Sequence, residues 1–378
     1  MGRAERACKI GSVAEIVWPT DGKVTLREAC GRTKQRAKQY SMKQCLLHAA
    51  TFARISDRLK AYDDAIRPIV MNDSGEFSDG WSGETIESPQ PEIAYGNTDV
   101  WFSPQPAAFV GALLQGGKLD WFQSSAAGIE HPILVSIGKA ARLYSTNHTQ
   151  SEAMAEWALW AAFDFLRRGP ERRENQAAKR YERMTTREVN GSRWLVIGFG
   201  EIGAAVGRRV RALGGHVTGV RRSGGTSPSA DVIVAPDAMD EALGAADVVL
   251  LCVPHTPATE GMANAGFLSK MKADALLLNL GRGALVVEDE LIKALDAGKP
   301  AYAVLDVQSV EPLPDDSPIW THPKILITPH DSSDTPLNTP RSDVVFLDNL
   351  ERYLKEEPLR HVVDKASMVS FENGYGSR

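Results

Sequence analysis

Three side chains suited to acid–base and anion chemistry occur late in this 378-residue chain. Arg282, Glu311 and His330 each follow an apolar segment of strand character. An imidazole can exchange a proton near neutral pH, a carboxylate can orient the ring, and a guanidinium binds carboxylates through a planar fork of donors. Taken singly, each residue type is more often structural or solvated. Their occurrence in order, at the ends of strands that could bind a ligand, favours a functional interpretation.

A glycine pattern upstream predicts a dinucleotide-binding turn. It reads Gly-x-Gly-x-x-Gly directly after the apolar segment 194–197, and a helical segment and a second strand follow it. The first glycine permits the tight turn, the second lets the backbone approach a pyrophosphate, and the third allows close packing of helix on strand. The N-terminus of the following helix would offer its N–H groups to the phosphates. The predicted contacts of this turn are Gly198, Phe199, Gly200, Glu201, Ile202 and Gly203.

The residues after the second strand of this motif indicate which cofactor binds. An NAD site usually has an acidic residue there, whereas this chain has Arg221, Arg222 and Ser223. Two guanidinium groups suit a 2′-phosphate through their charge and their forked donors. We therefore predict that NADP is preferred and that NAD is possible. The alternative is that both arginines are solvated surface residues and that the protein accepts either cofactor.

Alternation of apolar and helical segments predicts an α/β fold with parallel sheets. From residue 193 to about residue 330 the rhythm is that of a doubly wound nucleotide-binding domain, with strands at 194–197, 217–220, 232–234, 248–253, 275–280, 302–307 and 325–328. Ahead of it we predict strands at 66–71, 99–102 and 121–124. Helices are predicted at 151–168, where apolar residues repeat at helical spacing, and at 342–355. The charged segment 171–187 is expected to be an exposed connecting arm.

Charge is distributed unevenly along the chain. Residues 1–60 carry a net charge of +8, whereas the remainder carries −13. We expect residues 1–60 to be a basic, poorly ordered extension or the result of a start placed too far upstream. An arm that binds nucleic acid or targets an organelle is the alternative, although no nucleic-acid partner is expected. No apolar run is long enough to span a membrane, and four cysteines without metal-ligand spacing favour a reducing, cytoplasmic setting without a metal.

An ordered series of motifs resembles the D-isomer-specific 2-hydroxyacid dehydrogenase family, nearest to its glyoxylate/hydroxypyruvate reductase subgroup. The resemblance covers about residues 66–365, and the matching segments are the glycine turn, 253–261, 279–283, 306–314, 328–330, 346–350 and 357–359. It implies an α/β fold of two Rossmann-like or flavodoxin-like lobes with doubly wound parallel sheets. The dinucleotide-binding lobe, 170–333, would be inserted into the catalytic lobe, 61–169 plus 334–365. The family is usually dimeric, so a homodimer is expected.

The resemblance also implies a reaction, in which a hydride moves between NAD(P)H and C2 of a small 2-keto or D-2-hydroxy acid. His330 would be the general acid in reduction and the base in oxidation, and Glu311 would orient its ring. Arg282 would hold the substrate carboxylate and polarise the carbonyl. Further cofactor contacts are expected from Val253, Pro254, Thr256, Thr259, Leu280, Gly281 and Asp306. A loop of small residues is expected to cradle the substrate carboxylate, with Ala127 and Gly128 contributing alongside Arg282 and His330.

Two features depart from the family pattern, and two alternative functions stay open. Asp331, Ser332 and Ser333 follow the histidine where small apolar residues are common, and Gln308 with Ser309 replaces a turn that usually contains Glu. Neither change removes one of the three chemical groups. The alternatives are a phosphoglycerate or D-lactate type of dehydrogenase and a nucleotide-sensing, corepressor-like binding protein, which the basic N-terminal segment alone favours.

Overall fold

The computed structural model describes residues 42–126, 128–129 and 131–368. Its first sheet contains β1 (Lys43–His48), β2 (Ile66–Met71), β3 (Phe77–Asp79), β4 (Ile93–Gly96), β5 (Trp121–Ser124) and β6 (Leu143–Ser145). The spatial order is β3-β2-β1-β4-β5-β6, and each described pair is parallel except β2 with β3. The carboxyl ends of the parallel strands therefore lie at one edge of this sheet.

The second sheet is parallel at every described pair, with the order β13-β12-β11-β10-β7-β8-β9. Its strands are β7 (Arg193–Ile197), β8 (His216–Val220), β9 (Val232–Val234), β10 (Val248–Leu251), β11 (Leu276–Asn279), β12 (Tyr302–Leu305) and β13 (Ile325–Ile327). β10 and β11 are buried along their whole length because helices cover both faces of a parallel sheet. This explains why they read as unbroken apolar runs.

Helices pack on both sheets. Those of the first half are α1 (Ala49–Leu59), α2 (Thr98–Trp101), α3 (Pro106–Gln115), α4 (Pro132–Ala140), α5 (Ser151–Leu166) and α6 (Gly169–Ala177). Those of the second half are α7 (Glu201–Ala212), α8 (Asp240–Ala245), α9 (Ala265–Lys270), α10 (Glu288–Asp296) and α11 (Asn338–Leu354). Within the described residues, these helices are too short or too polar to cross a membrane.

The segment 1–60 is not an extension over the part that the structure describes. β1 lies in the interior of the first sheet, between β2 and β4, and α1 follows it directly. Cys45, Leu46 and Leu47 are fully buried, and this short apolar run is enough for a central strand despite its basic surroundings. The expected boundary at residue 60 is therefore wrong for residues 42–60. Residues 1–41 lie outside the described part of the chain.

The predicted strand at 99–102 is also wrong, because residues 98–101 form α2. The run Val100-Trp101-Phe102 looks apolar, but only Val100 among the four residues of the helix is buried, and Phe102 is exposed. One apolar contact in a polar turn is typical of a short surface helix. Strands β3, β4 and β6 were also not predicted.

The two long helices that precede and follow the second sheet along the chain, α5 and α11, pack on different sheets. α5 follows the first sheet along the chain, but Ala155, Trp157 and Ala158 join the core of the second sheet. α11 follows the second sheet, and its Phe346 and Leu350 pack in the core of the first. Packing therefore places α5 with the dinucleotide-binding lobe, ahead of the boundary expected at residue 170. We call the first sheet with α1–α4 and α11 the first lobe, and the second sheet with α5 and α7–α10 the second lobe.

Candidate active site

The carboxyl edge of the second sheet brings the predicted chemical groups together. The strand order turns outwards in both directions from the β7–β10 pair, and ligands of doubly wound folds bind at such a switch point. Gly198 follows β7, Arg282 follows β11 after a two-residue link, and His330 follows β13. Because all these strands are parallel, their loops meet on one side of the lobe.

His330 and Glu311 form a direct pair. His330 Nδ1 lies 2.8 Å from Glu311 Oε2, and Glu311 Oε1 accepts a hydrogen bond of 3.1 Å from the backbone N–H of Gln308. The side chains are 35% and 26% exposed, so the pair sits at a surface that a small molecule can reach. A carboxylate can only accept, which assigns the proton to Nδ1 of a neutral ring. Nε2 is then the ring nitrogen that can exchange a proton with a substrate oxygen.

The backbone of His330 has an uncommon conformation. Its φ is +55°, in the left-handed region that non-glycine residues adopt rarely. The N–H of His330 donates to the carbonyl oxygen of Asp306 at 2.8 Å. The carboxylate of Asp306, which is 1% exposed, accepts from the N–H groups of Asp331 at 3.1 Å and Ser332 at 3.3 Å. Asp306 therefore anchors the backbone that presents the imidazole.

Arg282 enters from the neighbouring strand end. Its Nη1 donates to the carbonyl oxygen of Gly281 at 2.7 Å. The fully buried Asn279 accepts from the N–H of Gly281 at 3.0 Å and donates to the carbonyl oxygen of Arg282 at 2.9 Å. The amide of Asn279 thus braces both sides of the turn, a role that we did not predict. The sequence feature that could have predicted this role is the asparagine at the end of the otherwise apolar strand β11.

Gly283 joins the Arg282 turn to the loop that carries Glu311. A Cβ atom on Gly283 would lie 1.9 Å from the carbonyl carbon and oxygen of Gln308, so only glycine permits this approach. The N–H of the same Gln308 binds Glu311. The turn that carries Arg282 and the loop that carries Glu311 are therefore in backbone contact.

The glycine turn has the shape that a dinucleotide requires. Gly198 has φ +102°, and a Cβ there would lie 2.5 Å from the carbonyl oxygen of Cys252. A Cβ on Gly203 would lie 2.5 Å from the carbonyl oxygen of Gly198, as expected where a helix packs closely on its strand. A Cβ on Gly200 would meet no protein atom within 4 Å, so this glycine leaves space rather than filling it. Together with the N-terminus of α7, that open approach fits a pyrophosphate.

Comparison with known proteins agrees with this geometry. The model of the D-isomer specific 2-hydroxyacid dehydrogenase, NAD binding domain, matches residues 159–332. A glyoxylate/hydroxypyruvate reductase A of Escherichia fergusonii is 31% identical over 215 residues, which are 57% of this chain and 68% of that protein. The chain belongs to the D-isomer-specific 2-hydroxyacid dehydrogenase family.

Two solved structures support the same conclusion. A D-isomer specific 2-hydroxyacid dehydrogenase family protein from Aeromonas salmonicida is 28% identical, covers 87% of this chain and 100% of that chain, and has a TM-score of 0.68. A D-isomer specific 2-hydroxyacid dehydrogenase from Xanthobacter autotrophicus, in complex with NADPH and MES, is 25% identical, covers 86% and 99%, and has a TM-score of 0.69.

Membership confirms the predicted family, the two-lobe α/β fold and the enzyme class, an NAD(P)-dependent oxidoreductase of 2-hydroxy acids. The names of these relatives favour neither the nucleotide-sensing nor the phosphoglycerate and D-lactate alternative.

In this dehydrogenase the two arginines after β8 differ in their surroundings. Arg221 donates to the carbonyl oxygen of Gly224 from Nε at 2.9 Å and from Nη2 at 2.5 Å, so its fork closes its own loop. Arg222 and Ser223 are exposed beside it. The sequence pattern did not distinguish the two guanidinium groups, whereas in the structure Arg221 bonds its own loop and Arg222 is exposed.

The loop after β10 is held by its own threonines. Thr259 Oγ1 donates to the carbonyl oxygen of Pro254 at 2.8 Å and accepts from the N–H of Thr256 at the same distance. A Cβ on Gly281 would lie 2.7 Å from the carbonyl oxygen of Val253, so this loop touches the Arg282 turn. Leu280 is buried beneath the contact. These side chains hold the loop after β10 in shape, and the backbone of the loop is the part that could contact a cofactor.

The first-lobe loop expected to cradle the substrate carboxylate follows β5. Ser124 Oγ accepts from the N–H of Ala126 at 3.1 Å, and the side chain of Gln150 donates to the carbonyl oxygen of Ser125. Gly128 lies on this loop, whereas Ala127 lies outside the described residues. The loop is therefore braced from the residue that precedes α5.

The departure at residue 331 adds negative charge beside the histidine. Burial, and then the neighbouring carboxylates of Asp306 and Asp334, raise the pKa of Asp331 above its ordinary value.

The cysteine behind the glycine turn is held in its neutral form. Burial raises the pKa of the Cys252 thiol to about 12, and this thiol donates to the carbonyl oxygen of Gly198 at 3.0 Å. Cys252 is thus a neutral packing residue behind the glycine turn.

Proposed function

We propose that this enzyme reduces a small 2-keto acid of the glyoxylate or hydroxypyruvate kind to the D-2-hydroxy acid, with NADPH preferred over NADH. The observation that carries the proposal is the pairing of His330 with Glu311 at 2.8 Å, beside the Arg282 turn and the open glycine turn. The names of the reductase relatives support the substrate class.

Each of these residues has a separate role in the proposed reaction. Arg282 binds the substrate carboxylate and draws electron density from the adjacent carbonyl. In the reduction His330 starts as an imidazolium that Glu311 stabilises through Nδ1. It donates the Nε2 proton to the carbonyl oxygen and is left as the neutral ring with its proton on Nδ1. Gly198, Gly200 and the N-terminus of α7 would hold the cofactor pyrophosphate. When bound, the reduced nicotinamide supplies the hydride that reaches C2.

A steady-state assay tests the function. Consumption of NADPH and NADH is followed with glyoxylate, hydroxypyruvate, pyruvate and bulkier 2-keto acids, for the native enzyme and for His330→Ala. We expect saturable turnover that falls by about 10²- to 10⁴-fold in the variant, the usual contribution of a general acid. His216→Ala is the control, because this histidine is exposed at the opposite edge of the sheet. Absence of turnover with every 2-keto acid, despite measurable NADPH binding, would contradict the proposal.

Cofactor preference is proposed to rest on Arg222 more than on Arg221. Arg222→Gln should lower kcat/KM with NADPH by about tenfold while leaving that with NADH unchanged, since one charged hydrogen bond to the 2′-phosphate is lost. Arg221→Gln should affect both cofactors alike, because its guanidinium closes the loop. The NADPH complex of the Xanthobacter relative supports this preference. Equal losses with both cofactors in Arg222→Gln would refute it.

We further propose that the enzyme is a homodimer. Trp160 and Phe163, one turn apart on α5, are 46% and 41% exposed, and Tyr181 is fully exposed on the arm that follows α6. Contiguous exposed apolar patches mark association surfaces, and Trp160 and Phe163 are neighbours on one face of α5. Sedimentation should show a dimer that Trp160→Ser weakens, whereas Trp320→Ser, at an exposed tryptophan away from α5, should not. A monomer at all concentrations would refute the proposal.

A further inference from the structure

A line of hydrogen bonds runs from α5 to the carboxylate that anchors the histidine loop. Trp157 Nε1 donates to Thr328 Oγ1 at 3.1 Å, and Thr328 Oγ1 lies 2.5 Å from Asp306 Oδ1. An indole N–H can only donate, so the threonine oxygen must accept there. Its single hydrogen is then committed to Asp306. The direction of both bonds is fixed by the chemistry of the three groups.

This line ends where the backbone of His330 is held. The carboxylate of Asp306 receives the hydroxyl of Thr328 on one side of the histidine and the N–H groups of Asp331 and Ser332 on the other. Its carbonyl oxygen receives the N–H of His330 itself. One buried residue thus fixes both flanks of a histidine whose φ is +55°. Rotation of the Asp306 carboxylate would release the loop, and Thr328 is the side chain that opposes that rotation.

Gln308 makes a second connection between the ends of β12 and β13. Its side-chain Nε2 donates to the carbonyl oxygen of Leu305 at 3.1 Å and to that of Thr328 at 3.3 Å. Its backbone N–H donates to Glu311. The side chain is buried, so these bonds do not compete with water. Gln308 therefore fixes the end of β13 relative to the loop that carries Glu311.

We propose that Thr328 and Gln308 are positioning residues that hold His330 and Glu311 in register, and that Trp157 on α5 fixes the Thr328 hydroxyl in the orientation this requires. The inference deepens the proposed function and rests on it, because it assigns how the acid–base pair of that same site is kept. None of the three residues needs to touch the substrate. Their effect is on the geometry of the His330 Nδ1–Glu311 hydrogen bond.

Thr328→Val tests the proposal, because it keeps the shape of the side chain and removes the hydroxyl. We expect kcat to fall by about tenfold to a hundredfold with KM changed less than about threefold, since the acid is misplaced rather than the substrate site. Thr328→Ser should restore kcat to within about threefold. The matched control is Ser192→Ala, which removes the hydroxyl that accepts from the buried indole of Trp194, at the opposite edge of the same sheet.

A measurement without turnover separates positioning from stability. Nitrogen-15 NMR of the histidine rings in the cofactor-free protein, assigned with His330→Ala, reports which ring nitrogen of His330 carries the proton when the ring is neutral. The native protein should show the Nδ1–H form, and Thr328→Val should show a mixture with the Nε2–H form. Ser192→Ala and Thr328→Ser should resemble the native protein. This readout decides the inference even if no 2-keto acid is reduced and the proposed function fails.

Trp157→Phe keeps the inference testable if Thr328→Val does not fold, because it removes the indole donor while leaving an aromatic ring in the core. The same tautomer shift and a fall in kcat of about threefold to tenfold are expected, with Gln308→Leu changing both readouts in the same direction. A native tautomer and native kcat in Trp157→Phe and in Gln308→Leu would overturn the proposal. So would a loss of kcat that only follows a loss of folded protein in thermal melting.

Discussion

Substitution of Gly283 by alanine should disable the enzyme without touching any chemical group. A Cβ at this position would lie 1.9 Å from the carbonyl carbon and oxygen of Gln308, whereas ordinary contact begins near 3.4 Å, so the facing backbone must retreat by about 1.5 Å. Such overpacking costs about 1–3 kcal/mol of stability. The retreat would carry the Gln308 N–H away from Glu311 Oε1, which lies 3.1 Å from it. Misplacement of a catalytic group by about 1 Å can cost about 10²-fold in rate.

The assay is kcat for the best 2-keto acid with saturating NADPH, together with the melting temperature. Gly283→Ala should lose about 10²-fold in kcat and melt several degrees lower. Gly244→Ala is the control, because a Cβ there comes no closer than 3.6 Å to the carbonyl oxygen of Lys270 and lies inside α8. It should keep its kcat and gain up to about 1 kcal/mol from helix propensity. A kcat for Gly283→Ala within twofold of the native value would refute the argument that the two loops move as one.

The two other predictions concern the glycine turn and the carboxylate after the histidine. Gly198→Ala should destabilise the fold by about 2 kcal/mol or more in denaturant titration, because φ is +102° and its Cβ would meet the Cys252 carbonyl at 2.5 Å. Gly200→Ala, with no protein atom within 4 Å, should melt normally but bind NADPH at least about tenfold more weakly by calorimetry. A normal NADPH affinity there would contradict the assignment of the turn. For Asp331 the folded-state pKa is raised, so its ionised form destabilises the fold at neutral pH. Asp331→Asn should therefore melt at a slightly higher temperature at neutral pH. The gain in the free energy of unfolding should be less than about 1 kcal/mol, because the side chain is exposed, and it should vanish as pH falls below about 4. A stability gain that instead grew as the pH fell would show that the pKa of Asp331 is not raised by folding.

The second lobe could be predicted from the sequence almost strand by strand. Its central strands β10 and β11 are buried on both faces, so they read as apolar runs such as Val248–Leu251, bounded by turn residues. The first lobe was harder because its strands are short and their neighbours are misleading. β1 lies among basic residues, and the apolar run after Asn97 belongs to a helix that buries only Val100. Which short run becomes a strand is decided there by tertiary packing, not by local pattern.

The sequence also allowed us to predict which residues lie at the carboxyl edge of the second sheet, but not the side chains that support them. Arg282, Glu311 and His330 follow strand ends, and parallel strands bring those ends to one edge whatever the intervening sequence. The bracing by Asn279, Gln308 and Thr328 depends on where individual polar atoms fall after folding. Polar residues at the ends of buried strands were the available signal. The sequence alone does not say which carbonyl or carboxylate each of them meets.

The placement of α5 gives these separate contacts a common origin. The residue before it, Gln150, binds the carbonyl oxygen of Ser125 in the first-lobe loop, and Trp157 within it binds Thr328 beneath the histidine loop. These two attachment points are seven residues apart, which is about 10 Å along a helix axis. The alanine-rich face of α5 is fixed in the core of the second sheet, so the helix cannot slide to change that spacing. The separation between the loop after β5 and the loop that carries His330 is therefore set by about two turns of one helix, although the two loops belong to different sheets.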